Sequence, residues 1–297
     1  MFLVATNWRR RLAGLGPVAL ALFLTGRGCW QPALGQQTAS SVGSATMAAT
    51  GRPLVFAHRG GRKWAPENTL SAFRKSLDAK VDGIELDIHR CKTGELVVMH
   101  DEDVSRTTDG IGLIRDHSLS DLRKLSAGFW FSPEFKSERV PLLSEVLDLV
   151  GGKAIINIEI KNAPVAYPGI EDDLIKLLAG YKYPEKIQVS SFDHELLRRI
   201  HEKAPQYKLA LLADGLLVDL GKYAGGVGAS SWNPAFGDIR SDSVEQAHRS
   251  ALAVNVWTVN NPYEWVSAVD MGVDGIITDD PRGLMQFLSE RATKAKR

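Results

Sequence analysis

The chain has 297 residues, 44% hydrophobic and 24% charged, with a net charge of +1. That balance suits a soluble α/β protein with a sizeable core, and the near-neutral charge argues against a nucleic-acid partner. Two cysteines, Cys29 and Cys91, are too few for a disulfide framework.

The first fifty residues contain no Asp or Glu, and the first acidic side chain is Glu67. Arg9, Arg10 and Arg11 precede an apolar run from Leu12 to Leu24. That run is too short to span a bilayer comfortably and the right length for the apolar core of a signal peptide. With cleavage near Ala33-Leu34-Gly35, residues 1–35 read as a signal peptide and 36–52 as a flexible linker. The expectation is an exported protein, periplasmic or secreted. An uncleaved anchor is the competing reading of the run, and would be the chain's contact with a membrane. Removal of the segment leaves Cys91 alone, so the fold must rest on its core.

From 53 to 293 strand-like and helix-like runs alternate. PLVFAH is a strand delivering His58 and Arg59, and PENTLSAFRKSLDAK is a helix with Pro66 near its start. GIELDIH is the second strand, and Thr93-Gly94 turns the chain back into ELVVMH, giving a hairpin-like pair that ends at His100. Residues 102–140 are irregular and longer than an ordinary connection, which predicts a functional loop or small subdomain, its GFWFSPEF run suited to a lid or rim. AIINIEIK, KIQVSSF, KLALLA, GVGASSW, AVNVWTVN and GIITD follow with helical runs between them, GLLVDLGKYA among these. Eight βα units predict a (β/α)8 barrel with an insertion after the second strand pair. An open doubly wound sheet is the alternative, disfavoured because no glycine-rich nucleotide loop follows the first strand.

A barrel of this kind carries its active site at the carboxyl ends of its strands, where the chemically able residues cluster. Glu85 and Asp87 are two apart on a strand and share a face. Glu159 is a third acid in an apolar strand, two residues before Lys161. Buried unpaired carboxylates are expensive, and a hard divalent cation is the usual answer; an ion pair of Glu159 with Lys161 or Arg59 is the competing one. His58 and His100, at strand ends flanking the acids, are candidates for proton transfer near neutral pH. Arg59 and Lys161 suit phosphate oxygens. Trp257 is either core or an apolar wall for the substrate's alcohol portion. No Ser, Cys or Thr stands out as an activated nucleophile.

The stretches AHRGGRKWAPENTLSAF, GIELDIHRCKTGELVVMHDEDVSRTTDGIG, VPLLSEVL, INIEIK, VSSF, VNVWTVN and GVDGIITDDP together resemble the glycerophosphodiester phosphodiesterase family. The resemblance runs from about Val55 to Asp280. It implies a TIM barrel with catalytic His58 and His100, calcium or magnesium held by Glu85, Asp87 and Glu159, and phosphate contacts from Arg59 and Lys161. One departure is Thr93 before the turn glycine, where the family often has Asp; it touches the hairpin and not the site. The implied reaction is metal-dependent hydrolysis of glycerophosphodiesters, such as glycerophosphocholine or glycerophosphoethanolamine, to glycerol 3-phosphate and an alcohol. A lysophospholipase D acting on single-chain lipids is an alternative within the same chemistry. A non-catalytic barrel that binds phosphorylated polyols is one from another class.

Overall fold

The computed structural model describes residues 51–294. The expected signal peptide and nearly all of the linker lie outside these residues. Among those described, no helix is long and apolar enough to cross a membrane.

Eight parallel strands close on themselves: β1 (Leu54–Ala57), β2 (Gly83–Arg90), β4 (Ile155–Ile160), β5 (Ile187–Ser191), β6 (Lys208–Ala213), β7 (Ser231–Pro234), β8 (Ala253–Val256) and β9 (Gly275–Thr278). Pairing of β1 with both β2 and β9 completes the barrel. The hairpin strand β3 (Leu96–Val98) runs antiparallel to the end of β2 and stands outside the barrel. The closed barrel expected from the alternation is therefore the one observed.

Strand alternation divides the side chains into two sets. Val55, Ile84, Leu86, Ile88, Ile156, Ile158, Val189, Leu211 and Val254 point out and join helix residues such as Phe73, Leu143, Leu174 and Leu197 in the main core. Leu54, Phe56 and Ile277 form a separate inner cluster, with Ile155 and Trp257 against it. Phe56 fits there because two facing positions are glycine. A Cβ on Gly83 would come within 2.4 Å of the Phe56 ring, and one on Gly275 within 3.0 Å.

Two boundaries differ from the sequence expectation. The first helix starts at Leu70, not near Pro66: Asn68 takes a left-handed φ of 57° and Thr69 caps the helix by accepting from the Ala72 amide. The run GLLVDLGKYA is helical only from Leu220, because Asp219 has φ 52°. The 102–140 insertion holds a four-residue helix (Leu119–Leu122) and three short 3-10 turns. It has its own small core of Val104, Ile114, Leu122, Ala127 and Val140 on Cys91, Val97 and Met99 of the hairpin. Cys91 is a buried free thiol.

Gly83→Ala should destabilise the fold by about 1–3 kcal/mol, the usual cost of overpacking a filled core. Urea unfolding measures it, and adding Phe56→Leu should recover part of the loss. An unchanged midpoint for Gly83→Ala would mean that Phe56 is not packed as described.

Candidate active site

The β1 exit loop is built by local backbone chemistry. Arg59, with φ 50°, lies in the left-handed region that an arginine seldom adopts. It is held there at both ends: its amide donates to Glu85 Oε2 at 2.9 Å, and its carbonyl accepts from the Asn68 amide at 2.9 Å. Gly60 follows at φ 83°, and a Cβ there would sit 2.7 Å from Ala72 Cβ. The glycine doublet thus lets the loop lie against the first helix, and no phosphate cradle is needed to account for it.

The three candidate acids meet. In register, Asp87 of β2 stands beside Glu159 of β4, and Glu85 beside Asn157. One ligand oxygen from each of Glu85, Asp87 and Glu159 lies within 4.8 Å of the others, and all three residues are buried. Burial, with Asp87 and Glu159 alongside, pushes Glu85 well above the usual carboxylate range. Burial also raises Glu159, to about 7, against the pull of Lys161. Burial acts the same way on Asp87, but Lys161 and Arg59 outweigh it and hold that carboxyl low.

Both cations expected at the site are present, and both are engaged with acids. Lys161 Nζ lies 2.5 Å from Glu159 Oε1 and 3.2 Å from Asp87 Oδ1. Arg59 Nε lies 3.5 Å from Asp87, and its Nη1 donates to Glu67 at 2.8 Å. The ion pair weighed as a competitor to a metal site is therefore there, with one ammonium shared between Asp87 Oδ1 and Glu159 Oε1. Three buried acids against that shared cation form an all-oxygen donor set that fits a hard divalent cation.

Each candidate histidine has a carboxylate on its Nδ1. His58 Nδ1 is 2.6 Å from Asp279 Oδ1, and His100 Nδ1 is 2.6 Å from Asp101 Oδ1. A carboxylate acceptor fixes the Nδ1–H tautomer and leaves Nε2 to exchange protons. His58 Nε2 lies 4.0 Å from Glu85. Burial lowers the pKa of both rings, opposed by Asp279 for His58 and by Asp87 for His100.

Sequence reasoning gave the supports no role. Asp279 reaches His58 only because the barrel closes β9 onto β1. Glu67 is a buried hub accepting from Arg59, Arg62 and Arg106, and the Arg106 and Arg59 guanidiniums overcome its burial to bring it to about 2. Arg106 also donates to Asp101, so the insertion is fastened to the His100 dyad. The expected aromatic lid is not found: no residue of 102–140 lines the cavity. Trp130, Phe131 and Phe135 contact one another instead. His89, near the end of β2, is buried, with Nε2 on the His100 carbonyl and Nδ1 on the Tyr167 hydroxyl.

A cavity of about 200 Å³ opens among these groups, with His58, Arg59, Glu85, His100, Glu159 and Lys161 in its lining. Apolar Phe192, Leu212, Trp257 and Ile277 and polar Asn157 and Ser190 line it too. Trp257 is fixed by its indole N–H on the Asn233 carbonyl and by edge contact with Phe192. It is a wall of the cavity.

The model of the glycerophosphoryl diester phosphodiesterase family matches residues 58–282. The chain belongs to that family. It is 42% identical to a glycerophosphodiester phosphodiesterase of Caldanaerobacter subterraneus, over 80% of this chain and 98% of the relative. One from Bacillus subtilis is 34% identical over 88% and 94%. Among solved structures, the Thermotoga maritima glycerophosphodiester phosphodiesterase superposes with a TM-score of 0.66 at 28% identity, covering 79% of this chain and 97% of that one. A phosphodiesterase of Oleispira antarctica, in complex with the product sn-glycerol-3-phosphate, shares the fold at TM-score 0.75 and 24% identity, over 82% and 99%. This chain is thus a phosphodiesterase of the same (β/α)8 architecture.

His58→Ala and His100→Ala should each lower turnover of a glycerophosphodiester by roughly 10²–10⁴-fold, the worth of positioned proton transfer. His194→Ala, at a ring bonded to the Leu212 carbonyl and Tyr223, should stay within a few-fold. Steady-state kinetics decide, and equal damage from all three would refute the site assignment. With both ring pKa values lowered, the acid limb of kcat/KM should lie below pH 6.5, since the base loses its free Nε2 only when protonated.

Proposed function

We propose that the enzyme hydrolyses glycerophosphodiesters, glycerophosphocholine or glycerophosphoethanolamine among them, using a calcium or magnesium ion held by Glu85, Asp87 and Glu159. The supporting observation is charge. At the cavity three carboxylates, once ionised, stand against two cations, Arg59 and Lys161, and leave one negative charge in a buried site. A divalent cation together with a singly charged phosphodiester brings that set to neutrality. Buried charge is costly unless compensated, so ion and substrate complete the site as a pair. When bound, the ion offsets charge on the phosphoryl oxygens and polarises a hydroxyl. Arg59 and Lys161 are already beside the acids, where they hold the phosphoryl group from the protein side.

The two Nε2 atoms do the proton work. One histidine takes the proton of the substrate's 2-hydroxyl as that oxygen bonds to phosphorus. The other protonates the departing alcohol oxygen as its bond to phosphorus breaks. Water then opens the cyclic phosphate with the roles reversed, giving glycerol 3-phosphate. A tethered hydroxyl is favoured over free water because the entropy of approach is prepaid. Trp257 and Phe192 form the apolar wall beside it.

The test is a panel of glycerophosphodiesters and lysophospholipids assayed after chelation, with calcium and magnesium added back singly. Activity should vanish in chelator and return with an ion. Because Glu159 sits near 7 and Glu85 is raised, ion uptake should release protons and tighten as pH rises through 7. Calorimetry in buffers of different ionisation enthalpy reads this. Full activity in excess chelator would remove the metal from the proposal.

A substrate with hydrogen in place of the 2-hydroxyl should bind and barely turn over. Hydrolysis at the parent's rate would replace the intramolecular route with direct attack by water.

A further inference from the structure

Asn157 and Ser190 line the cavity yet have no part in the chemistry above. They are 2% and 0% exposed, and Asn157 Oδ1 and Ser190 Oγ have no hydrogen-bond partner. Buried polar atoms of this kind are rarely left unsatisfied in a folded protein. Their places follow from strand register. Ser190 stands beside Glu159, and Asn157 lies two residues before Glu159 and beside Glu85. Neighbouring strands therefore present an amide acceptor and a hydroxyl to the cavity at and just below the level of the carboxylates. Gln188, opposite Asn157, also has an unpartnered Nε2, but it does not line the cavity.

What meets these two atoms must be small and must bring both a donor and an acceptor. Leu212, Ile277 and Trp257 line the same cavity and offer a surface that suits carbon. A primary alcohol on a short chain has all three properties: its O–H donates to Asn157 Oδ1, its lone pair accepts from Ser190 Oγ–H, and its carbons lie on the apolar wall. The geometry points to Asn157 and Ser190 as a subsite for the terminal hydroxyl of the glycerol unit. This rests on the proposed glycerophosphodiester activity and deepens it. The histidines act on the 2-hydroxyl, which any 1,2-diol monoester supplies; the subsite selects the three-carbon polyol over a chain ending in methyl. An analogue without the hydroxyl leaves both buried atoms unpaired, which is how a hydrogen-bonding site rejects a near-isostere.

The experiment compares a glycerophosphodiester with its 1-deoxy analogue, which ends in methyl and keeps the 2-hydroxyl. In the wild type, kcat/KM for the parent should exceed that for the analogue by roughly 10²-fold or more. In Ser190→Ala and in Asn157→Leu the ratio should fall toward one. Both substrates are measured on one preparation, so the ratio is independent of how much of a variant is folded. A wild-type ratio near one overturns the subsite even if neither variant folds. So does a ratio that survives both substitutions, which would assign these atoms to bound water. Failure of the wild type on every glycerophosphodiester is a different result and overturns the proposed activity itself.

Discussion

Three carboxylates brought within 4.8 Å of one another in a buried place are the constraint to which the rest of this site responds. Their meeting is a matter of topology. Because β2 and β4 are direct neighbours in the barrel, with β3 diverted to a hairpin outside it, Asp87 and Glu159 fall side by side. Left alone, such a cluster would disperse or take up protons. Here Lys161 and Arg59 are drawn in against it, and Asn68 Nδ2 donates to Asp87 Oδ2 at 2.8 Å. Even so, with all three acids ionised, one negative charge is left over. Remaining demand of that kind is what a binding site has before its ligand arrives.

The same demand explains the ring of support around the histidines. A histidine near a carboxylate cluster is pulled toward protonation, and burial pushes it the other way. In both His58 and His100 burial is the larger effect, so each ring is inclined to be neutral. Asp279 and Asp101 then do two things at once: they set the tautomer and they stabilise the imidazolium when a proton arrives. Arg106 and Glu67 carry the restraint outward, tying the insertion to the first-strand loop through Arg59 and Arg62. The insertion thereby contributes to the site through an arginine, not through its aromatic run.

The sequence made the barrel and the inner residues legible because both depend on short-range patterns. Alternation of strand and helix gives the βα count, and a period of two puts Glu85 and Asp87 on one face. His58, His100, Glu159 and Lys161 were visible as polar residues at the ends of apolar strands. The roles of their partners were not, and for Asp279 the reason is barrel closure. Asp279 is 221 positions from His58, and nothing local links them. Glu67 lies within the run expected to be helical, and because Asn68 and Thr69 put the helix start at Leu70 it is free to turn inward. The aromatic stretch misled for the opposite reason. Exposed rings suggest a lid, but these pack on each other and, through Phe135, beneath Lys75.

The inner cluster beneath the site settles how deep the cavity runs. Phe56 fills the barrel across Gly83 and Gly275, and Ile277 joins that cluster while also lining the cavity. An apolar plug therefore closes the bottom, while acids and histidines occupy the mouth. Asn157 and Ser190 face the space between, where neither the plug nor the acids satisfy them. A barrel that needed only stability would fill these two positions with aliphatic side chains, as it does on its outer face with Ile156, Ile158 and Val189. Polar groups kept at that depth, two residues along β4 from Glu159 and beside it on β5, are what the proposed subsite rests on. Under that proposal the reactivity common to any phosphodiester comes from the acids and histidines at the mouth, and selection of the glycerol unit from the two polar side chains beneath them.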